Sequence, residues 1–196
     1  MSIYRLWVVD HIRELRPIQG TIARRLTGWL DPIAKKANFS AGECVFPQYI
    51  VNPGVGEMLI HVCPFGTSVV QKMPGAVKPN PTASHLGMTQ QAGGVTGAEV
   101  YKKTSDAEGI ASIIFHEAMH NKLQLGDAGL HGRFTPCELS CASITWPTSP
   151  TSDESDAMAA ALRNPVAQWL NGQRILRSAG MRKRKNDPLW DSEIVL

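Results

Sequence analysis

The sequence has no long apolar run. Hydrophobic residues make up 43% of its 196 residues, but no stretch reaches the roughly 20 consecutive apolar residues that a membrane-spanning helix needs. The first ten residues carry charges at Arg5 and Asp10 and lack the extended apolar core and cleavage site of a secretory signal peptide. These absences predict a soluble protein made in the cytoplasm, for which any export requires a non-classical or secretion-system route.

Cysteine is scarce, and repeats are lacking. The four cysteines, Cys44, Cys63, Cys137 and Cys141, do not form the CxxC pair of a structural zinc site. Their even number permits two disulfides or four free thiols, and the sequence leaves both states open. With no internal repeat and no long linker, a chain of this length can bury a full core, which predicts one domain over residues 1–196.

The charge balance is nearly even, with a formal net charge of +3. Much of this excess lies between Arg174 and Lys185, and it includes the basic run at residues 182–185. A basic run can bind nucleic acid, but no aromatic side chains are interleaved with this one for base stacking. The pattern favours a solvated basic tail over about residues 174–196 and leaves a nucleic-acid-binding role of this tail as a weaker alternative.

What the sequence does contain is an HExxH pattern, His116-Glu117-Ala118-Met119-His120, within an apolar stretch. The composition gives such a pattern a chance expectation of roughly 0.01 per chain. Residues four apart on an α-helix project from the same face, so the imidazoles of His116 and His120 can bind one Zn²⁺ ion. Glu117 lies about 100° around the helix, where it can reach a water molecule without binding the metal.

These three side chains predict metal-assisted hydrolysis. Zinc lowers the pKa of a bound water from 15.7 to about 7, and Glu117 would accept the proton of that water as general base. A purely structural zinc site has no use for such a base, so its presence favours a catalytic role.

The neighbouring residues predict that the motif lies on one buried helix. Ser105 and Glu108 form a capping box, and Gly126 is a natural left-handed terminator, which together predict a helix over residues 106–125. On a helical projection the two histidines and Glu117 share one polar strip with Ser112 and Gln124, while apolar residues cover most of the remainder. Such a helix suits the floor of a cleft.

A catalytic zinc site needs a third protein ligand, for which there are four candidates: His131, Asp127, Glu154 and Asp156. We favour His131, because the glycine-containing segment from Gly126 can reverse the chain and return it to the metal. Asp127 can bind directly, orient a histidine or cap the turn. Glu154 has a sufficient role in a second predicted capping box with Thr151.

The segment from His116 to His131 resembles the zincin metallopeptidases, and among them the metzincin group. In that group a glycine turn after the helix brings in a third histidine, but its pattern would place glycine at position 123 and the ligand at position 126, where this sequence has Leu123 and Gly126. The resemblance implies a zinc cofactor and a displaced third ligand at His131. It also offers Met158 as the methionine beneath the metal, although an ordinary core methionine is the simpler interpretation.

Outside the motif, the patterns predict an α+β domain with a twisted mixed sheet over the central metal-binding helix and a helical C-terminal part. Residues 58–62 are the candidate for a central or cleft-side strand, and an edge strand would pair with an extended substrate. Strands are predicted at 45–51, 57–63 and 67–71, and helices at 17–30, 151–162 and 165–178.

The function that the sequence predicts is a zinc-dependent metallopeptidase, in keeping with a free-standing or secreted effector enzyme. Its substrate would be a peptide or protein, or the amide bonds of peptidoglycan. The groups available by type to stabilise the oxyanion are Arg133, His85 and Tyr101, and nothing in the sequence selects among them. The alternative is a zincin-like binding or structural module of a larger assembly, with a metal that does no chemistry.

Overall fold

Five strands and four α-helices make up the described part of the chain. The computed structural model describes residues 2–47, 53–54, 56–65, 67–77, 86–102, 106–131 and 150–170, without the side chain of His131. The elements are β1 (Ile3–Asp10), α1 (Gln19–Lys36), β2 (Ala41–Val45), β3 (Met58–Pro64), β4 (Gly87–Ala92), β5 (Val95–Lys102), α2 (Ala107–Leu123), α3 (Asp127–His131) and α4 (Ser152–Ala161). The predicted α+β class is confirmed.

The strands form one mixed sheet in the order β2-β1-β3-β5-β4. Strands β2, β1, β3 and β5 are parallel to one another, whereas β4 is antiparallel to β5 and lies at one edge. From Met58 to Cys63 every residue of β3 is buried, as expected for a strand covered on both faces. The prediction that residues 58–62 form a central strand is therefore confirmed.

Helices α1 and α2 pack against each other and cover the sheet, α1 against β2 and α2 against β3, β5 and β4. Helix α1 begins two residues after Pro17 and runs past the predicted end at residue 30, because Ile33 and Ala34 are also buried in the core. It continues through Pro32 and ends before Asn38, whose φ of 63° lies in the left-handed region. The main core thus lies between the sheet and the two helices α1 and α2.

Two of the predicted strands are misplaced. The strand expected at residues 45–51 lies earlier, as β2, and residues 48–52 are outside the described part. The strand expected at residues 67–71 is wrong: a short 3-10 helix occupies Val70–Lys72. Its start is fixed by the buried carboxylate of Glu99, which accepts hydrogen bonds from the backbone amides of Val69 and Val70 at 2.8 and 3.0 Å.

The C-terminal part is less helical than predicted. Helix α4 begins at the expected capping box, in which Thr151 and Glu154 bond reciprocally. The helix expected at residues 165–178 is wrong where it is described, because the chain up to residue 170 is not helical and Thr96 forms a β-bridge with Gln168. Gln168 exchanges two hydrogen bonds with the side chain of Asn121, and these hold this segment against α2. Residues 171–178 lie outside the described part.

None of the described helices is both long enough and apolar enough to span a bilayer. Cys44 and Cys63 are free thiols buried in the protein, while Cys137 and Cys141 lie outside the described residues.

Candidate metal centre

Helix α2 carries the whole HExxH pattern. Its N-cap is Asp106, whose carboxylate accepts from the amides of Glu108 and Gly109, and the predicted cap Ser105 lies outside the described part. The helix ends at Leu123, and its C-cap Gln124 takes a left-handed conformation with φ of 55°. The prediction that Gly126 terminates the helix is thus wrong by two residues. Every residue from 109 to 122 is buried, so the two histidines and the glutamate lie in the interior.

The two imidazoles of the motif converge. The Nε2 atoms of His116 and His120 are 3.1 Å apart, and the rings are nearly perpendicular. The Nδ1 atom of His120 lies 2.7 Å from the backbone carbonyl oxygen of Leu125. A carbonyl oxygen only accepts, so Nδ1 carries the proton and the lone pair of His120 is on Nε2, facing His116. Metal binding through Nε2 would require this tautomer, and a backbone contact fixes it.

The spacing of the two nitrogens fits zinc. Two nitrogen ligands at about 2.0 to 2.1 Å from a tetrahedral ion lie about 3.3 Å apart, close to the 3.1 Å seen between the Nε2 atoms. Within the described residues no group of three or more His, Cys, Asp or Glu side chains is arranged to hold a metal. The described part therefore brings two imidazole nitrogens together, and a zinc site of the predicted kind would need a third ligand.

Glu117 lies beside these histidines and faces the edge strand. Its Oε2 atom accepts a hydrogen bond of 2.7 Å from the hydroxyl of Thr89 on β4. The side chain is buried, and burial raises the pKa of Glu117 to about 8, with a smaller upward contribution from the charge of Asp127 and a downward one from Thr89. Burial thus favours the neutral form of this carboxyl group.

Gly87 allows β4 to approach this carboxylate. A Cβ atom built on Gly87 would overlap Oε1 of Glu117, so any side chain at this position would displace the glutamate or the strand. Gly87 and Thr89 are two residues apart and therefore face the same side of β4. The hydroxyl of Thr89 binds Oε2 of Glu117, and Gly87 lies next to Oε1.

We expect Gly87→Ala to lower the free energy of unfolding by about 1 to 3 kcal/mol, because the added methyl group overpacks a buried site. It should also reduce any activity that depends on Glu117. The control is Gly28→Ala in α1, where an added Cβ meets no atom within 4 Å and a gain of about 0.5 to 1 kcal/mol is expected. Urea denaturation measures both, and an unchanged stability of Gly87→Ala would contradict the close approach of β4 to Glu117.

The structure separates the candidates for the third ligand. Glu154 accepts hydrogen bonds from the amide and hydroxyl of Thr151, and Asp156 forms a surface ion pair with Lys36. By contrast, the carboxylate of Asp127 lies 3.8 Å from Nε2 of His120, the nitrogen that faces His116. Asp127 and His131 begin and end α3, four positions apart, so the backbone places them on one side of that helix.

The segment that carries these two residues was predicted as a glycine loop, and it is instead the short helix α3. Of the side chains proposed for oxyanion stabilisation, Tyr101 is committed elsewhere, because its hydroxyl donates to the buried carboxylate of Glu99 at 2.6 Å. His85 and Arg133 lie outside the described residues. Met158 is fully buried in the main hydrophobic core.

Three contributors to the site were not identified from the sequence: Gly87, Thr89 and the carbonyl of Leu125. Gly87 and Thr89 lie on β4, and the position of this strand over α2 is set by the fold as a whole. Leu125 acts through its backbone carbonyl, and a backbone group gives no residue-specific signal in a sequence. For Gly87, the sequence gives one indication: it is the first glycine of a polar run that follows a turn-rich region. A glycine in a strand can mark a place where another group approaches the backbone closely.

No protein-family model matches the chain, and no curated protein sequence matches it.

Proposed function

We propose that the chain is a zinc-dependent peptidase that hydrolyses amide bonds with Glu117 as general base. The observation that carries this proposal is the convergence of the two Nε2 atoms at 3.1 Å, with the proton of His120 held on its far nitrogen by Leu125. The donor set of two neutral imidazoles suits zinc. The proposed third ligand is His131, with Asp127 as the alternative.

When bound, zinc would polarise the scissile carbonyl and lower the pKa of a water molecule. Glu117 accepts a proton from the attacking water while the water oxygen forms a bond to the carbonyl carbon. Glu117 then gives this proton to the amide nitrogen as the carbon–nitrogen bond breaks, which leaves a carboxylic acid and an amine. The hydroxyl of Thr89 holds Oε2 during both transfers and keeps the carboxylate directed between β4 and the two histidines.

The free edge of β4 supports a peptide as the substrate. Within the described residues β4 pairs only with β5, so its other edge has backbone groups available to an extended chain. The same strand contacts the general base through Thr89. A peptide added along β4 would therefore pass the carboxylate of Glu117.

The proposal is tested by metal analysis combined with substrate profiling. Protein expressed with sufficient zinc should contain close to one equivalent of the metal, and it should cleave members of a peptide library or of a peptidoglycan panel. Removal of zinc by a chelator should stop cleavage, and adding zinc back should restore it. Zinc-free protein after replete expression would contradict the metal site. A full equivalent of zinc without hydrolysis of any substrate would instead favour the binding-module alternative.

A further inference from the structure

Ser112 lies on α2 one turn before His116, on the polar strip that also carries His120. Only 8% of this serine is exposed, and its hydroxyl has no hydrogen-bond partner in the described part of the chain. A serine inside a helix often donates to the carbonyl oxygen four residues earlier, and Ser112 does not. A buried hydroxyl without a partner is unfavourable, so this atom calls for a functional explanation.

A metal ion between the two histidines would need an acceptor on the far side of each ring. For His120 that acceptor is the carbonyl oxygen of Leu125, which fixes the proton on Nδ1. The Nε2 atom of His116 faces Nε2 of His120, so binding through this atom would use its lone pair and keep the proton of His116 on Nδ1. An acceptor for that proton would fix the tautomer and the orientation of the ring.

Ser112 is placed to supply this acceptor. Residues four apart on a helix have Cβ atoms about 5 to 6 Å apart. Side chains on a helix lean toward its N-terminus, so the ring of His116 extends over the turn that contains Ser112. Rotation about a single bond, χ1, redirects the hydroxyl oxygen. After accepting from His116, the hydroxyl can donate its own proton to the carbonyl oxygen one turn earlier.

We propose that Ser112 is a positioning residue of the metal site, whose hydroxyl accepts the Nδ1 proton of His116 when zinc binds at Nε2. The proposal rests on the zinc site of the peptidase function proposed above, and it adds a residue that is not a ligand. Pairing of the hydroxyl depends on the tautomer of His116 that zinc binding requires. Ser112 therefore stabilises the zinc-loaded protein relative to the zinc-free protein.

The experiment compares Ser112→Ala with Ser68→Ala, which removes another buried hydroxyl. The hydroxyl of Ser68 donates to the buried carboxylate of Glu99. Ser68→Ala should therefore lower the urea midpoint of unfolding, because a buried acceptor loses a donor, and it should leave zinc affinity unchanged. Ser112→Ala removes a hydroxyl that has no partner in the described part, so the midpoint of the zinc-free protein should stay the same or rise.

Zinc affinity should respond in the opposite way. Competition with a chromogenic chelator should show that Ser112→Ala binds zinc about tenfold more weakly than the wild type. In the zinc-loaded wild type, the Nδ1 proton of His116 should give a slowly exchanging NMR signal. This signal should be lost in Ser112→Ala, because a proton without its acceptor exchanges faster with water.

Wild-type zinc affinity in Ser112→Ala would overturn the positioning role and leave the peptidase proposal intact. A lower urea midpoint of zinc-free Ser112→Ala with unchanged zinc affinity would likewise overturn it, because the hydroxyl would then bind a structural water. Failure of the wild-type protein to bind zinc would overturn both proposals.

Discussion

Replacing Glu117 by Gln is expected to abolish hydrolysis while the protein keeps its fold and its zinc. Gln has nearly the same shape, and its amide oxygen can still accept the hydrogen bond from Thr89. It cannot take a proton from water, so kcat should fall by about 10² to 10⁴ or more. Burial already favours the neutral form of Glu117, so a neutral amide at this position fits its surroundings.

The matched control is Glu108→Gln on the same helix. Glu108 forms a half-exposed ion pair with Arg25, and such surface pairs contribute little to stability. This variant should retain full activity. Zinc content, kcat and the free energy of unfolding would be measured for both proteins. Cleavage by Glu117→Gln at the wild-type rate would show that the base is elsewhere.

Zinc affinity is expected to fall strongly when the proposed third ligand is removed, which is the second of the two largest expected effects. We expect His131→Ala to weaken zinc binding by more than about 100-fold, since removing a ligand costs more than the 10- to 100-fold typical of its outer partners. Asp127→Ala should weaken it by about tenfold, because the carboxylate lies near Nε2 of His120 without belonging to the expected ligand set. Competition with a chromogenic chelator measures both affinities.

Asp156→Ala is the control for this series, because Asp156 is engaged with Lys36 on the surface and should leave zinc affinity unchanged. A greater loss in Asp127→Ala than in His131→Ala would assign the third ligand to Asp127. If neither variant weakened zinc binding, α3 would be excluded as the source of the ligand.

The parts of the fold that were predicted correctly depend on local signals. Helix α4 follows its capping box, and β3 follows its unbroken apolar run. The 3-10 helix at residues 70–72 was missed because its start depends on Glu99, about 30 positions further along the chain. Strand β1 was not predicted, because the short apolar run at the start of the chain was compared only with the pattern of a signal peptide.

The candidate site likewise contains residues that local sequence signals predict and residues that only the fold brings in. His116, Glu117 and His120 are recognisable from their spacing alone, because one helix fixes their relative positions. Gly87 and Thr89 reach Glu117 through the pairing of β4 with β5, and a single sequence gives no measure of that register. Gly126 is of the residue type that most often ends a helix, but the chain leaves the helix at Gln124. The preference of glycine for the left-handed conformation therefore does not decide where α2 ends.

The way α2 ends limits which changes in chain length the protein can tolerate. Because Gln124 turns the backbone, the carbonyl of Leu125 points back at His120 and fixes its tautomer. Inserting or deleting one residue between positions 121 and 125 would offer a different backbone group to that ring. Loop-length changes are usually mild in surface connections. Here a one-residue insertion or deletion would alter which nitrogen of His120 carries the proton, so natural or engineered length variation should be confined to positions beyond 125.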